Sequence, residues 1–412
     1  MQRWDIFCRI LDNYGDIGVC WRLARQLAQE HKLVVRLWVD DLEVAKRLIG
    51  GLDAGLENQT IAGVEICHWL EPFKDLPVAD VVIEAFACEL PASYLTAMAT
   101  SQKPLPLGPT QISPHPAKGR AREGVGGSEE VSESVTPIPT FPLQRGRSKS
   151  QVWLNLEYLS AEQWVAESHL LPSPHPTLPL VKHFFFPGFT AQSGGLIREQ
   201  GLIEKRDAFQ HDSQAQTTFW KKLGLTDSPS LKVSLFCYPH APLADLLEAI
   251  ASGTRTTTVF VSDSNTLTAI GDQLGLGRLM VGDNISKGNL TLQALPFLSQ
   301  DDYDHLLWAC DINFVRGEDS WVRALWAAKS FVWQPYWQEQ DVHLNKLQAF
   351  LEFYSDGLPA SAAEALRQAH INWSSNQFES HQFGSYQFEK TSWQALLDNL
   401  PTLQNHATLQ SR

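Results

Sequence analysis

Residues 4–30 read WDIFCRILDNYGDIGVCWRLARQLAQE, and this stretch predicts a strand, a polar loop and a helix. Residues 4–11 are apolar enough for a buried parallel strand. Residues 19–30 place apolar side chains on one helical face: Cys20, Leu23, Ala24 and Leu27. Because ligands of open α/β sheets bind at the carboxyl ends of strands, we expect the loop at 12–18 to border a binding site.

That loop carries two carboxylates, Asp12 and Asp16, and two glycines, but no Gly-x-Gly-x-x-Gly. Two negative charges would repel a phosphate, so the loop is expected to hold a cation or to accept a proton. Asp16 is the better candidate base, because a helix N-terminus stabilises a charged carboxylate. Asp12 would pair with the same ligand or orient Asn13. Ordinary helix capping by these carboxylates remains an alternative.

Composition narrows the class of protein. The 412 residues favour two domains, and a net charge of −13 argues against nucleic acid as the main partner. Six scattered cysteines without a Cys-x-x-Cys motif indicate free thiols in a reducing compartment. No run of 18 apolar residues suggests a membrane span. We therefore expect a cytoplasmic protein that binds neither nucleic acid nor membranes.

The chain divides into three parts by pattern. Strands and helices alternate over residues 1–190, which predicts a parallel sheet with crossover helices. Residues 101–150 interrupt this alternation with eight prolines, six glycines and seven serines, so about 103–148 are interpreted as a disordered insertion. The alternation returns over 226–375, which predicts a second Rossmann-like lobe. The helical segment 376–412 is expected to pack back on the first lobe.

The second candidate site is the turn Arg316-Gly317-Glu318-Asp319-Ser320, which follows a predicted strand and precedes a helix. Asp319 or Ser320 is suited to cap that helix, whose free N–H groups and dipole attract a diphosphate. Arg316 can contact a phosphate with two hydrogen bonds, and Gly317 permits close backbone approach. An ordinary capped helix with a surface Arg–Glu pair remains the alternative.

Aromatic residues follow other predicted strands of the second lobe. Phe236 and Tyr238 end its first strand, and Phe297 with Gln300 follows another. One ring for stacking and one amide for the edge of a base would hold a pyrimidine, although core packing explains such rings equally well. No histidine or cysteine spacing indicates a metal site, and no Gly-x-Ser-x-Gly or P-loop is present.

Four long segments together resemble the EarP family of protein-arginine rhamnosyltransferases, which modify translation elongation factor P. They are residues 4–22, 152–159, 185–189 and 313–320, and the resemblance covers nearly the whole chain outside the insertion. It implies a GT-B fold, with two Rossmann-like lobes that face a central cleft. It further implies inverting, metal-independent transfer of L-rhamnose from dTDP-β-L-rhamnose, without a cofactor. The acceptor would be an arginine in the N-terminal domain of elongation factor P, which is thereby activated to rescue polyproline-stalled ribosomes.

Site residues are carried over at the matching positions only. The resemblance implies an essential acidic pair at Asp12 and Asp16, within an acceptor loop that includes Asn13, Tyr14 and Gly15. The implied donor-binding residues are Phe236, Tyr238, Phe297, Gln300, Arg316, Gly317, Glu318, Asp319 and Ser320. A GT-B transferase with a small-molecule acceptor is the alternative function.

Overall fold

The computed structural model describes residues 2–11, 14–70, 77–101, 151–374 and 388–411. The predicted insertion at 103–148 therefore lies outside the described residues, as do Asp12 and Asn13. The described chain forms two lobes, each built on a mainly parallel β-sheet.

The first lobe contains a sheet of eight described strands in the order β3-β4-β2-β1-β5-β6-β8-β7. Its strands are β1 (Arg3–Cys8), β2 (Val34–Val39), β3 (Asn58–Ile61), β4 (Val64–His68), β5 (Val81–Ala85), β6 (Val152–Leu156), β7 (Pro172–Pro174) and β8 (Val181–Phe185). Its helices are α1 (Gly15–Gln29), α2 (Leu42–Leu48), α3 (Ala92–Ser101) and α4 (Trp164–Ser168). Only β3 and β7, at the two edges, run antiparallel to their neighbours. The central β1 is buried on both faces, because Ile6 and Cys8 belong to one apolar core and Phe7 to another.

The second lobe contains a sheet of six described strands in the order β11-β12-β10-β9-β13-β14. Its strands are β9 (Leu231–Leu235), β10 (Thr257–Ser262), β11 (Asn284–Lys287), β12 (Leu290–Leu295), β13 (Ile312–Arg316) and β14 (Ser330–Gln334). The helices of the second half are α5 (Leu202–His211), α6 (Ser213–Lys222), α7 (Leu243–Ala251), α8 (Asn265–Gln273), α9 (Gln300–Ala309), α10 (Asp319–Trp326), α11 (Val342–Tyr354), α12 (Ala360–Ser374) and α13 (Lys390–Gln410). Only β11 is antiparallel to its neighbour in this sheet.

The connection between the lobes differs from the sequence-based expectation. The aromatic run 184–189, with Gly194 and Gly195 after it, predicts the crossing between lobes from the sequence. In the structure β8 instead pairs in parallel with β6 in the first sheet. The crossing follows it, where Phe189 packs against Trp321 and Phe350 of the second lobe. The helices α5 and α6 then bury apolar rings in the core of the second lobe, which therefore begins before residue 226.

The C-terminal helix corrects a second expectation. The described part of the C-terminal segment is not packed on the first lobe, because α13 lies against α7, α12 and β14. Its apolar side chains, including Trp393 and Leu400, join the core of the second lobe. A polar contact also holds the helix to the second lobe, because the imidazole of His406 contacts the backbone carbonyl of Tyr354 in α11. The apolar face of this helix is thus buried against the second lobe.

The two lobes meet along a cleft bordered by loops at the carboxyl ends of strands in both sheets. This is the predicted GT-B arrangement, and it is confirmed. None of the described helices is both long enough and apolar enough to span a membrane.

Candidate active site

Both lobes contribute residues to the cleft. The first lobe supplies Tyr14, the N-cap residue of α1, and Gly15, the first residue of that helix, together with Leu48 from α2. The second lobe supplies the remaining residues that line it: Phe236, Ser262, Asp263, Ser264, Phe297, Leu298, Gln300, Tyr303, Arg316, Asp319 and Ser320. Segment 12–18 and the turn at 316–320, chosen independently as candidate sites, therefore contribute to the same cavity. The sequence predicts a loop over segment 12–18, but its residues 15–18 form the first turn of α1, and Asp16 does not itself line the cavity.

Arg316 lies at the end of β13 with its guanidinium over two aromatic rings. Its Cζ lies 4.4 Å from the ring centroid of Phe236 and 4.5 Å from that of Tyr238. One guanidinium nitrogen, Nη1, donates to the Cys237 carbonyl at 3.1 Å. The described part of the chain offers Arg316 no carboxylate within salt-bridge distance. A buried cation in this setting is suited to an anionic ligand.

The turn after Arg316 is held by backbone contacts. Gly317 has a φ of +57°, in the left-handed region that favours glycine. Its carbonyl accepts from Trp333 Nε1 at 2.7 Å, and its N–H donates to the Gln334 carbonyl at 3.1 Å. The hydroxyl of Ser320 donates to the Arg316 carbonyl and accepts from the Arg316 N–H at 3.0 Å. Gly317 thus shapes the turn, whereas Arg316 and Ser320 line the cavity.

Glu318, rather than Asp319 or Ser320, occupies the N-cap position of α10, and its side chain makes no capping bond. Its carboxylate instead accepts from the N–H of Leu159 and from Lys346 Nζ, each at 3.0 Å. Burial raises the pKa of Glu318, Lys346 lowers it, and the negative charge of Asp16 raises it. The capping expectation was wrong because the side chains of Glu318 and Ser320 have partners elsewhere.

Asp16 lies in the first turn of α1 and is almost fully buried. Its Oδ2 accepts from the backbone N–H of Leu11 at 2.9 Å. The electrostatic influence of Asp16 on Glu318 links the two candidate sites across the cleft. Its predicted partners Asp12 and Asn13 lie outside the described residues.

The predicted base-binding aromatics separate into two groups. Phe236 and Phe297 line the cavity, whereas Tyr238 lies outside its wall, under the guanidinium of Arg316 and stacked on His240. Phe297 is covered from the first lobe by Tyr14, with ring centroids 5.1 Å apart. Burial lowers the pKa of His240, as do its neighbours His343 and Arg316, so this imidazole is neutral near pH 7.

Two predicted donor contacts are already engaged with the first lobe. Gln300 Nε2 donates to the Gly18 carbonyl at 3.0 Å, and its Oε1 accepts from Arg25 at 3.3 Å. Asp319 Oδ1 accepts from Arg22 Nε at 2.7 Å. Both residues border the cavity while they connect the lobes.

The sequence analysis did not select several residues of the cavity wall. Ser262 ends β10, and Asp263 and Ser264 follow it, so the rule about carboxyl ends of strands would have found them. Tyr303 has no such signal, because it lies inside α9 and only packing turns its hydroxyl toward Ser320.

In the described ranges, no group of three or more His, Cys, Asp or Glu side chains is arranged to hold a metal ion.

Residues 4–110 and 136–412 match the family model described as Elongation-Factor P (EF-P) rhamnosyltransferase EarP. The chain belongs to this family. It is 42% identical to a protein-arginine rhamnosyltransferase of Pseudomonas putida over 98% of this chain and 93% of that relative. It is 39% identical to the protein-arginine rhamnosyltransferase of Shewanella oneidensis, over 98% of this chain and 92% of that relative.

A solved structure that concerns EarP-mediated arginine glycosylation of translation elongation factor EF-P is also similar. It is 32% identical, with a TM-score of 0.61, and the match covers 100% of this chain and 93% of that one. The EarP resemblance is therefore confirmed over the length of the chain. The expectation of an enzyme, a protein-arginine rhamnosyltransferase, is confirmed with it.

Proposed function

We propose that this enzyme transfers L-rhamnose from dTDP-β-L-rhamnose to one arginine in the N-terminal domain of elongation factor P. The transfer inverts the anomeric carbon and needs no metal ion or cofactor. The observation that carries the proposal is the shared cleft, which has the buried cation Arg316 in its second-lobe wall and Gly15, the chain neighbour of the buried carboxylate Asp16, in its first-lobe wall. The relatives and the solved structure, named for protein-arginine rhamnosylation and EF-P glycosylation, support the choice of acceptor.

The donor is assigned to the second lobe. The thymine ring would stack on Phe236 or Phe297, and the diphosphate would lie between Arg316, Ser320 and the N-terminus of α10. As the bond between the anomeric carbon and the phosphate oxygen breaks, negative charge grows on the departing dTDP. Arg316 and the N–H groups of α10 stabilise that charge, which is the contribution that a bound metal ion makes in other transferases.

The acceptor is assigned to the first lobe. A guanidinium has a pKa above about 12, so the acceptor arginine arrives protonated and is a poor nucleophile. In our proposal Asp16 holds it by hydrogen bonds and takes its proton as a nitrogen attacks the anomeric carbon. Asp12 orients the same guanidinium, and Tyr14 and Gly15 form the edge of the acceptor loop. The six buried free cysteines are consistent with a reaction in the cytoplasm.

The test is a transfer assay read by intact-protein and peptide mass spectrometry. Purified enzyme, dTDP-β-L-rhamnose and elongation factor P should yield one added deoxyhexose on one arginine, in the presence of a metal chelator as well as in its absence. Elongation factor P with that arginine replaced by lysine is the matched control and should gain no mass. Donor consumption with a small molecule, without mass gain on the protein, would instead support the small-molecule alternative.

A further inference from the structure

Arg22 is a buried cation that joins the two lobes. It lies on α1, six residues after Asp16, and its side chain is 2% exposed. Its Nη1 and Nη2 donate to the two carboxylate oxygens of Asp304 on α9, at 3.1 and 3.0 Å. Its Nε donates to Asp319 Oδ1 at 2.7 Å, in the first turn of α10. One side chain of the first lobe thus contacts two helices of the second.

The partners of Arg22 form a closed ionic network with a second buried arginine. Arg323, also 2% exposed, donates to Asp304 at 3.0 and 2.6 Å and to Glu199 at 2.7 Å. Burial by itself would lower the pKa of Arg22, but Asp304, Asp319 and Glu199 raise it, and the net shift is upward. The guanidinium of Arg22 is therefore charged at neutral pH.

The same face of α1 makes two further contacts with the second lobe. A Cβ added at Gly18 would lie 3.2 Å from the side chain of Asp319, so a larger residue here would require Asp319 to shift by a few tenths of an ångström. The Gly18 carbonyl accepts from Gln300, whose own oxygen accepts from Arg25. Gly18, Arg22 and Arg25 are spaced four and three residues apart, so they form one contact stripe along the helix.

The contact stripe lies on the same helix as the candidate base and contacts second-lobe residues that line the cavity. Asp16 lies in the first turn of the helix that carries the stripe, and Asp319 and Gln300 both line the cavity. A buried ion pair adds little net stability over apolar packing, because desolvation offsets its attraction. A forked guanidinium contact does, however, define one relative orientation of the groups that it joins.

We infer that Arg22 is a positioning residue, which docks α1 on α9 and α10 and so sets the distance between Asp16 and the donor seat at Arg316 and Ser320. This inference rests on the proposed function for its kinetic consequences. Its structural consequence, one fixed orientation of the lobes, does not depend on that function.

The kinetic test compares two conservative variants. Arg22→Lys keeps the charge but loses the fork, and we expect kcat per folded molecule to fall about 100-fold, the usual effect of a misplacement near 1 Å. The Kd for dTDP should change less than about threefold, because Arg316, Phe236 and Ser320 stay in place. Arg36→Lys is the matched control, since Arg36 is buried and forked onto Asp5 within the first lobe at 2.7 and 2.6 Å. It should lower the Tm while kcat stays within about twofold of the wild type.

A second measurement is independent of catalysis. Spin labels at Glu57→Cys and Thr254→Cys, one exposed site on each lobe, report the distance between lobes by double electron–electron resonance. The wild type and Arg36→Lys should each give one narrow distribution, whereas Arg22→Lys should give a broadened one. Asp319→Asn, which weakens the same contact with less risk to folding, should broaden it as well.

The outcomes separate the two proposals. A wild-type enzyme that does not modify elongation factor P counts against the proposed function alone, and the distance measurement still tests Arg22. An unchanged distance distribution in both Arg22→Lys and Asp319→Asn would overturn the positioning role. A kcat loss in Arg22→Lys no larger than that in Arg36→Lys would overturn it too.

Discussion

The ring of Tyr14, in the loop that follows β1, lies 5.1 Å from the ring of Phe297, in the second lobe, measured between centroids. The guanidinium of Arg47 covers the same Phe297 ring at 4.9 Å. Both lobes therefore enclose one end of the cavity. A nucleotide stacked on Phe297 would thus lie beside Tyr14 and Arg47 of the first lobe as well as beside the second lobe.

Asp16→Asn should abolish transfer while donor binding is retained. The variant keeps an oxygen that can accept the Leu11 N–H, but it cannot take a proton from the acceptor. Transfer should fall by roughly 10²- to 10⁴-fold, and the Kd for dTDP should stay within about threefold. Asp40→Asn is the control, since Asp40 likewise accepts a backbone N–H, that of Ile10, at 3.0 Å. Loss of dTDP binding in Asp16→Asn would contradict the assigned role.

Arg316→Lys should weaken the donor complex. Lysine keeps the charge but cannot stack on Phe236 and Tyr238 and offer a fork to the diphosphate at the same time. Titration calorimetry with dTDP should give a Kd roughly 10- to 100-fold higher. The exposed Arg255→Lys, in the same lobe, should bind like the wild type. An unchanged Kd for Arg316→Lys would contradict the placement of the diphosphate beside Arg316.

Gly18→Ala should reduce turnover without a loss of stability. The new Cβ would meet the side chain of Asp319 at 3.2 Å, while Arg22 holds that side chain in place. Alanine favours a helix over glycine by about 1 kcal/mol, so the Tm should stay level or rise. Gly50→Ala, where nothing lies within 4 Å, is the control. We expect roughly a tenfold lower kcat for Gly18→Ala alone, and wild-type turnover would contradict the close-approach argument.

The lobe interface should weaken in acid. Burial raises the pKa of Asp304, but the charges of Arg22 and Arg323 lower it by more than burial raises it, so the net shift is downward. The pKa of Glu199 is lowered for the same reason. A folded-state pKa below the unfolded value contributes stability above the unfolded pKa, and that stability is lost as pH falls toward the folded value. The Tm should therefore drop between about pH 5 and pH 3. The drop should be shallower in Asp304→Asn, and equal slopes would show that the network does not titrate.

Replacement of residues 103–148 by a short Gly-Ser linker should leave transfer largely intact. The composition of this segment predicts no packed core, and it interrupts a connection between α3 and β6 rather than a candidate site. Turnover and Tm should remain within about twofold and a few degrees of the full chain, respectively. A folded but inactive deletion protein would show that the segment takes part in the reaction.

Local elements followed closely from the sequence where the apolar pattern was periodic. The sequence predicts helices over 42–48 and 342–354 and a strand over 331–333. Both helices have these bounds in the structure, at Leu42–Leu48 and Val342–Tyr354, and the strand at Ser330–Gln334 is longer by one residue at each end. The sequence predicts that Asp302 caps a helix that runs through Cys310, but the helix begins at Gln300 and Ser299 is its cap. Several residues of one short stretch can cap a helix, and only the folded backbone selects among them.

The sequence by itself determined two Rossmann-like lobes, a cleft at the carboxyl ends of their strands, and the two segments that border it. Those features depend on periodicity and on residue types at strand ends, which are local. Tertiary structure alone decided that α13 packs on the second lobe and that Glu318 pairs with Lys346. It also decided that Arg22 joins α1 to Asp304 and Asp319. These contacts link residues far apart in the chain, and an apolar stripe or a charge specifies that a partner is needed without specifying which one.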